Sequence, residues 1–286
     1  MVTILLALPW TPGVVFAQEI VLPAVQKQAM AIARLSVPSL MVPVPSGWFL
    51  MGTPSQDELS LGLTGPYDDT EQPQRRIWLD TFEIDREEVS FGNYLAWLLH
   101  ASRWPDMELA REIVMARARH VPEAALSTWP VFSVEWFEAD AYCRSVGKRL
   151  PSEAEWEKAA RGTDGRLFPW GVTTPVPELA RFSRHIENTM LPLAPTDSFP
   201  TGRSPYGLLH MAGNVAEWVQ DWGGIDTYVS MSERNPRGPA NGRYKIVRGG
   251  SWRSSPAMLR AATRGGAPPM FSSSTIGFRC ARTVAP

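Results

Sequence analysis

The sequence predicts a mixed fold of short strands and a few helices, set in irregular but well-packed loops around a small sheet. Three observations predict it. Short apolar strand signals lie near residues 41–51, and two helices with defined ends fall between residues 134 and 162. From Pro169 onward the chain is rich in Gly, Pro, Ser and Thr, yet it carries Trp170, Trp218, Trp222 and Trp252. That much aromatic area seeks burial, so the last segment is expected to be ordered despite its weak periodicity.

Residues 1–8 form an apolar run that ends at Pro9, and Val15-Phe16-Ala17 places small residues before Gln18. Residues 1–17 read as a signal peptide, although no Lys or Arg precedes the apolar run. The other reading, a buried strand, is opposed by Pro9, Pro12 and Gly13. No later stretch approaches the ~20 apolar residues of a membrane span. The mature chain is therefore expected to be exported to the periplasm without membrane insertion. The 28 basic and 29 acidic residues give a formal net charge of -1, which excludes a global basic field for nucleic acid or anionic lipid.

The spacing of Val25, Met30, Ile32 and Leu35 predicts a helix that Pro38 stops, so residues 18–39 form an N-terminal helical segment. A single domain is expected over residues 40–286. It begins with strands at 41–44 and 48–51 around the turn Pro45-Ser46-Gly47. Residues 52–76 read as a long loop, and the imperfect alternation of Ile77, Leu79, Phe82 and Ile84 as one further strand. Residues 106–120 suggest a charged surface helix.

Trp136, Ala139, Cys143 and Val146 share one helical face, with Gly147 as the C-terminal cap and Lys148-Arg149 beside the negative end of the dipole. Ser152-Glu153-Ala154-Glu155 is a capping box that opens a second helix, expected to run to Arg161 and stop at Gly162. Cys143 and Cys280 are the only cysteines. Their spacing matches no metal or redox motif, and export favours a disulfide between them. Closing so long a loop stabilises by about 4–5 kcal/mol in the chain-entropy model. The alternative is two separate buried thiols acting as small apolar residues.

Four segments together carry a family resemblance: residues 45–52 (PSGWFLMG), 147–157 (GKRLPSEAEWE), 207–218 (GLLHMAGNVAEW), and 248–252 (RGGSW) with Gly277-Phe278-Arg279. The chain resembles the formylglycine-generating-enzyme, or sulfatase-modifying-factor, family. The resemblance implies an α+β class, the family's variant of the C-type lectin fold. It also implies that Cys143 and Cys280 occupy the bridged positions known in animal members. The copper-binding cysteines of the family, at the second and seventh residues after the Trp of Arg-Gly-Gly-Ser-Trp, are replaced here by Ser254 and Leu259. A hydroxyl and an isobutyl group supply no thiolate for Cu(I), so no copper and no formylglycine formation are expected.

The Gly213–Trp218 segment resembles a family loop that wraps a structural Ca²⁺ with carbonyls around Ala212, Gly213 and Val215 and the carboxylate of Glu217, an oxygen set suited to a hard ion. The competing reading is that Glu217 pairs locally. A second family calcium site is expected to be lost, because Arg181 stands near an expected asparagine ligand. His100, His120, His185 and His210 show no metal-binding spacing, and no Gly-rich nucleotide fingerprint points to NAD or flavin.

Arg248, Arg253, Arg260 and Arg264 fall in the segment that lines the family's substrate groove, where they suit an acidic ligand or internal ion pairs. Ser251 and Ser254 have no identifiable base beside them. The catalytic candidates are Glu217, Arg248, Ser254 and Arg260. Exported members without the cysteine pair include one of similar size and layout that serves pyoverdine maturation. The resemblance thus implies an oxidoreductase-type step on a peptide siderophore precursor, the oxidation of dihydropyoverdine. The rival is a non-catalytic accessory module for a periplasmic partner protein, such as a copper nitrite reductase.

Overall fold

The structure is a computed structural model that describes residues 33–34, 37–54, 69–100, 127–185, 192–224 and 227–284. The expected signal peptide, nearly all of the N-terminal helix and the charged helix at 106–120 lie outside those residues.

Strands β1 (Met41–Val44), β2 (Gly47–Met51), β3 (Arg75–Leu79) and β4 (Phe82–Asp85) come first. The single strand expected over 76–84 is two strands, because Leu79 and Phe82 both face inward and only a turn at Asp80-Thr81 lets them. β2 pairs antiparallel with β3, whereas β1 pairs with β4, so the turn at 45–46 joins two different sheets. β4 is the middle strand of a sheet that ends with β9 (Ala281–Thr283).

Helix α1 (Phe91–His100) follows a Ser90 hydroxyl that accepts from the Asn93 amide at 3.2 Å, and it buries Tyr94, Leu95 and Leu98. Helix α2 (Trp136–Ser145) turns Ala139, Tyr142 and Cys143 inward. Helix α3 (Glu153–Arg161) has the reciprocal capping box: Ser152 Oγ accepts from the Glu155 amide at 3.2 Å, and the Glu155 carboxylate accepts from the Ser152 amide at 2.8 Å. Gly162, at φ 72°, ends it in a conformation that L side chains rarely adopt.

The second half supplies the largest sheet, in the order β7 (Arg264–Ala267), β6 (Lys245–Arg248), β5 (Ala216–Trp222), β8 (Ile276–Phe278), with β5 and β8 parallel. Around it the chain is irregular but packed. Trp156 and Trp218 have no solvent exposure. Burial of a side chain that size removes 150–250 Å² from water, roughly 4–6 kcal/mol at about 25 cal/mol per Å² before entropy is charged. Their ring N–H groups are satisfied, Trp156 by Glu217 Oε2 at 2.8 Å and Trp218 by the Val134 carbonyl at 2.9 Å.

Cys143 and Cys280 form a disulfide with their Cα atoms 5.6 Å apart, joining α2 to the start of the last strand across 137 positions. The Cys280 amide also donates to Asp85 Oδ2 at 3.0 Å, and Lys148 pairs with the other oxygen of that carboxylate. No helix among the described residues is long and apolar enough to cross a membrane.

Candidate functional site

Two glycine-bearing loops build the site. Gly249 and Gly250 follow β6 at φ 88° and 67°. A Cβ on Gly249 would sit 3.0 Å from the Trp156 ring, and one on Gly250 would sit 2.9 Å from the Met258 carbonyl oxygen. Both positions therefore require glycine for space as well as for backbone angle. The facing loop is Gly213-Asn214, where Asn214 adopts φ 62°. The Gly213 amide donates to the Gly249 carbonyl at 2.9 Å, and the Trp252 amide donates to the Asn214 carbonyl at 2.8 Å. The two loops are thus clasped by main-chain bonds, with Arg248 and Trp252 turned inward and Arg253 left exposed.

Ser254 is half-buried in a tight turn. Its hydroxyl accepts from the Ser251 amide at 2.9 Å, and its amide donates to the Ser251 carbonyl at 3.0 Å. Leu259 is fully buried with Phe168, Ala180, Phe182 and Ala212. Both side chains nevertheless flank one point: a Cβ built on Gly250 would lie 3.2 Å from Ser254 Oγ and 3.1 Å from Leu259 Cδ2. The two positions where the resemblance sets a thiol pair are therefore brought together, and they carry one hydroxyl and one alkyl group.

Of the arginines in the 248–264 segment, Arg248, Arg260 and Arg264 are internal and ion-paired, the second of the two readings, and Arg253 is exposed. Arg248 contacts both Glu157 and Glu153, and donates to the carbonyls of Ala262 and Thr263 at 2.8 and 2.9 Å. Arg264 grips Glu153 at 2.6 and 2.9 Å. Arg260 grips Glu71 at 2.7 and 2.9 Å. Burial pushes the Glu153 carboxyl up, but the Arg264 and Arg248 guanidiniums outweigh it and hold the group below the usual carboxylate range. Sequence reasoning missed the acidic partners because they lie as many as 189 positions away.

Glu217 is buried as well. Arg279 donates to both its oxygens, at 2.6 and 2.7 Å, and Trp156 adds a third bond. Three of the carboxylate's roughly four acceptor positions are thus filled. The local-pairing reading describes this side chain, and the loop around Ala212, Gly213 and Val215 does not present the free carboxylate that the expected calcium site needs. Nearby Glu88 accepts from Asn214 Nδ2 at 2.8 Å and from the Val215 amide at 3.2 Å. Burial, reinforced by the charge of Glu217, pushes its carboxyl well above the usual range. Among the described residues no group of three or more His, Cys, Asp or Glu is placed to hold a metal ion.

Of the four catalytic candidates, Glu217, Arg248 and Arg260 are thus buried in ion pairs, and only Ser254 meets solvent. His210, the histidine nearest this region in sequence, is also buried. Its Nε2 lies 3.0 Å from the Pro195 carbonyl, and burial holds the ring neutral with a pKa near about 3. What reaches the surface beside Ser254 is a set of arginines on two adjoining segments. The Ser183 amide donates to the Ser254 carbonyl at 3.0 Å and the Arg184 amide donates to the Trp252 carbonyl at 2.8 Å. These bonds bring Arg184 alongside Arg253.

The chain as a whole is similar to known proteins. The family described as "Sulfatase-modifying factor enzyme 1-like domain" matches residues 26–284. The chain belongs to this family. Formylglycine-generating enzyme of Bos taurus is 34% identical over 300 aligned positions, covering 87% of this chain and 76% of that one. The enzyme of the same name from Thermomonospora curvata is 32% identical, covering 84% of this chain and 92% of its own length. Among solved structures, PvdO from Pseudomonas aeruginosa superposes with a TM-score of 0.63 at 25% identity, over 85% of this chain and 94% of that one. The Treponema denticola variable protein 1 gives 0.61 at 22% identity over 86% and 96%, a likeness of fold alone. The α+β class and the lectin-like arrangement of small sheets are therefore those of the sulfatase-modifying-factor family.

Proposed function

We propose that this chain is an exported member of the formylglycine-generating-enzyme family that does not make formylglycine and instead serves the periplasmic maturation of a peptide siderophore of the pyoverdine type. The observation that carries the reading is the pair Ser254 and Leu259 on either side of Gly250. A Cu(I) site needs two soft thiolates there, and neither residue can supply one. The likeness to PvdO over nearly the whole of both chains adds support.

The reaction assigned is the dehydrogenation of the dihydropyoverdine chromophore. One ring single bond becomes a double bond, and two electrons and two protons pass to an external acceptor of the dioxygen class. The chain's part is to hold the precursor at the loop face bearing Ser254 while the exchange takes place. Deleting the gene in the source organism is expected to leave the dihydro precursor in the medium, with the mature chromophore's visible absorbance lost and restored by the intact gene. Normal chromophore in the deletion strain would overturn the reading.

A second reading is favoured by one observation: the Ser254 hydroxyl is met by a main-chain amide, and no base among the described residues bonds to it. In that reading the chain is a non-catalytic accessory that holds a periplasmic partner protein, such as a copper nitrite reductase. Purified protein that speeds precursor oxidation would decide for the first. Co-purification with a reductase, without any such effect, would decide for the second.

A further inference from the structure

We propose that Arg181, Arg184 and Arg253 form a site for paired carboxylates, located beside Ser254 on the face where the two loops clasp. The elements that build it are fixed by main-chain bonds rather than by the arginines themselves. Residues 183–184 are laid along 252–254 by the Ser183 and Arg184 amides, and the Ser183 hydroxyl adds a third bond to the Ser254 carbonyl at 3.3 Å. Arg181 is anchored by its own carbonyl, which accepts from the Asn214 amide at 2.8 Å. The backbone there is so close to Gly213 that a Cβ on that glycine would fall 2.4 Å from the Arg181 oxygen.

Among the described residues these side chains meet no counter-charge. Arg181 Nη2 makes one long bond of 3.4 Å to the Leu193 carbonyl, while its Nε is buried with no partner. That Nε is a donor open to an acceptor. Arg184 and Arg253 are exposed, and none of the three meets a carboxylate among the described residues. By contrast, Arg149, Arg161, Arg166, Arg248, Arg264 and Arg279 each hold an Asp or Glu. Arg181 is also penalised for its charge, first by burial and then by the neighbouring Arg184. An anion between the two guanidiniums removes that repulsion and fills the open donors.

Planar guanidiniums favour planar carboxylates, which they bind with two parallel hydrogen bonds. Three of them on adjoining segments suit two neighbouring carboxylates, either on consecutive acidic residues of a peptide or on a free dicarboxylic acid. This inference rests on the proposed function only in taking this face as the one that meets substrate.

The test is calorimetric binding of an acetylated, amidated peptide containing Asp-Asp, with its Asn-Asn twin and free glutarate as the other arms. The Asp-Asp peptide is expected to bind at least tenfold more tightly than the twin. The double variant R184Q/R253Q is expected to lose at least tenfold. Both of its residues are exposed, and an unchanged thermal melt verifies the fold. R166Q, which alters an arginine paired with Asp164, should bind like the wild type. Glutarate matching the peptide assigns the site to the free diacid, and a weaker glutarate assigns it to peptide carboxylates. Equal binding of the Asn-Asn twin, or wild-type binding by R184Q/R253Q, would overturn the proposal. Arginine-dependent binding in a protein whose deletion leaves siderophore maturation intact would keep this site and remove the proposed function, and a maturation defect without such binding would do the reverse.

Discussion

Arg279 closes a two-bond fork on Glu217, Nε to Oε2 at 2.7 Å and Nη2 to Oε1 at 2.6 Å, with both side chains buried. The rest of the guanidinium donates to the carbonyls of Asp85, Arg86 and Leu209 at 3.1, 3.0 and 2.8 Å. One side chain therefore ties the end of β4, the 209 segment and β5 to the link between β8 and β9. Replacing it with methionine leaves Glu217 buried, without its cationic partner and next to Glu88. Arg279→Met is expected to cost about 3–5 kcal/mol, read as a lower midpoint in urea unfolding, while Glu217→Gln should cost less. A loss under about 1 kcal/mol would mean the pair does not act as a clasp.

Calcium offers a separate check on the same carboxylate. Because three donors already converge on Glu217, neither added calcium nor a chelator is expected to move the melting temperature. A fall of more than a few degrees on chelation would show that an ion competes successfully for the loop of Ala212, Gly213 and Val215 and that Glu217 reaches it.

Asp221 sets a pH dependence. Burial, with Glu153 nearby, pushes its carboxyl up to about 7, and the Glu153 amide donates to its Oδ2 at 2.9 Å. The folded chain keeps this proton when the unfolded chain, near pKa 3.9, would lose it. Its contribution to stability is thus complete below about pH 4, declines as pH rises toward about 7, and is absent above. Asp221→Asn keeps an acceptor for the amide and cannot ionise. It is expected to be more stable than the wild type at pH 8, by on the order of 1–3 kcal/mol, with no gain at pH 4. Chemical denaturation at the two pH values measures the difference.

The positions flanking Gly250 invite a gain-of-function test. Since Ser254 Oγ and Leu259 Cδ2 both approach the same point, the double variant S254C/L259C is expected to bind one Cu(I) in competition with a chromogenic chelator, while the wild type binds none. Failure of the folded, reduced double variant to take up copper would show that the loop has diverged in shape as well as in side chains.

Much of the fold could be read locally. The Ser152 capping box, Gly147 and Gly162 fix the ends of α2 and α3 within the few residues they span, so no distant information is needed. Helix α1 was not read from the sequence: its signal, Ser90 followed by Phe91, Tyr94, Leu95 and Leu98, is short and sits behind a strand. The 76–84 segment misleads because alternation survives up to Leu79 and resumes in the opposite phase at Phe82. The site was harder to read. The residues of the 248–264 segment were legible as a group, but which arginines face inward depends on Glu71, Glu153 and Glu157, which other elements deliver. The parallel pairing of β5 with β8 and the nearness of 183–184 to 252–254 are likewise products of tertiary closure, so Arg181 and Arg184 carried no sequence signal as partners of Arg253.

The Cys143–Cys280 bond encloses every residue between them in one covalent ring. Both glycine loops, the Ser254 turn, Arg181, Arg184 and Arg253 lie inside it. In a compartment rich in proteases, a single cut in any loop from 144 to 279 would open the ring without releasing a fragment. A nicked molecule would travel as one species until it is reduced, and its two halves would stay at high effective concentration for each other, so damage to a surface loop need not be the end of the protein.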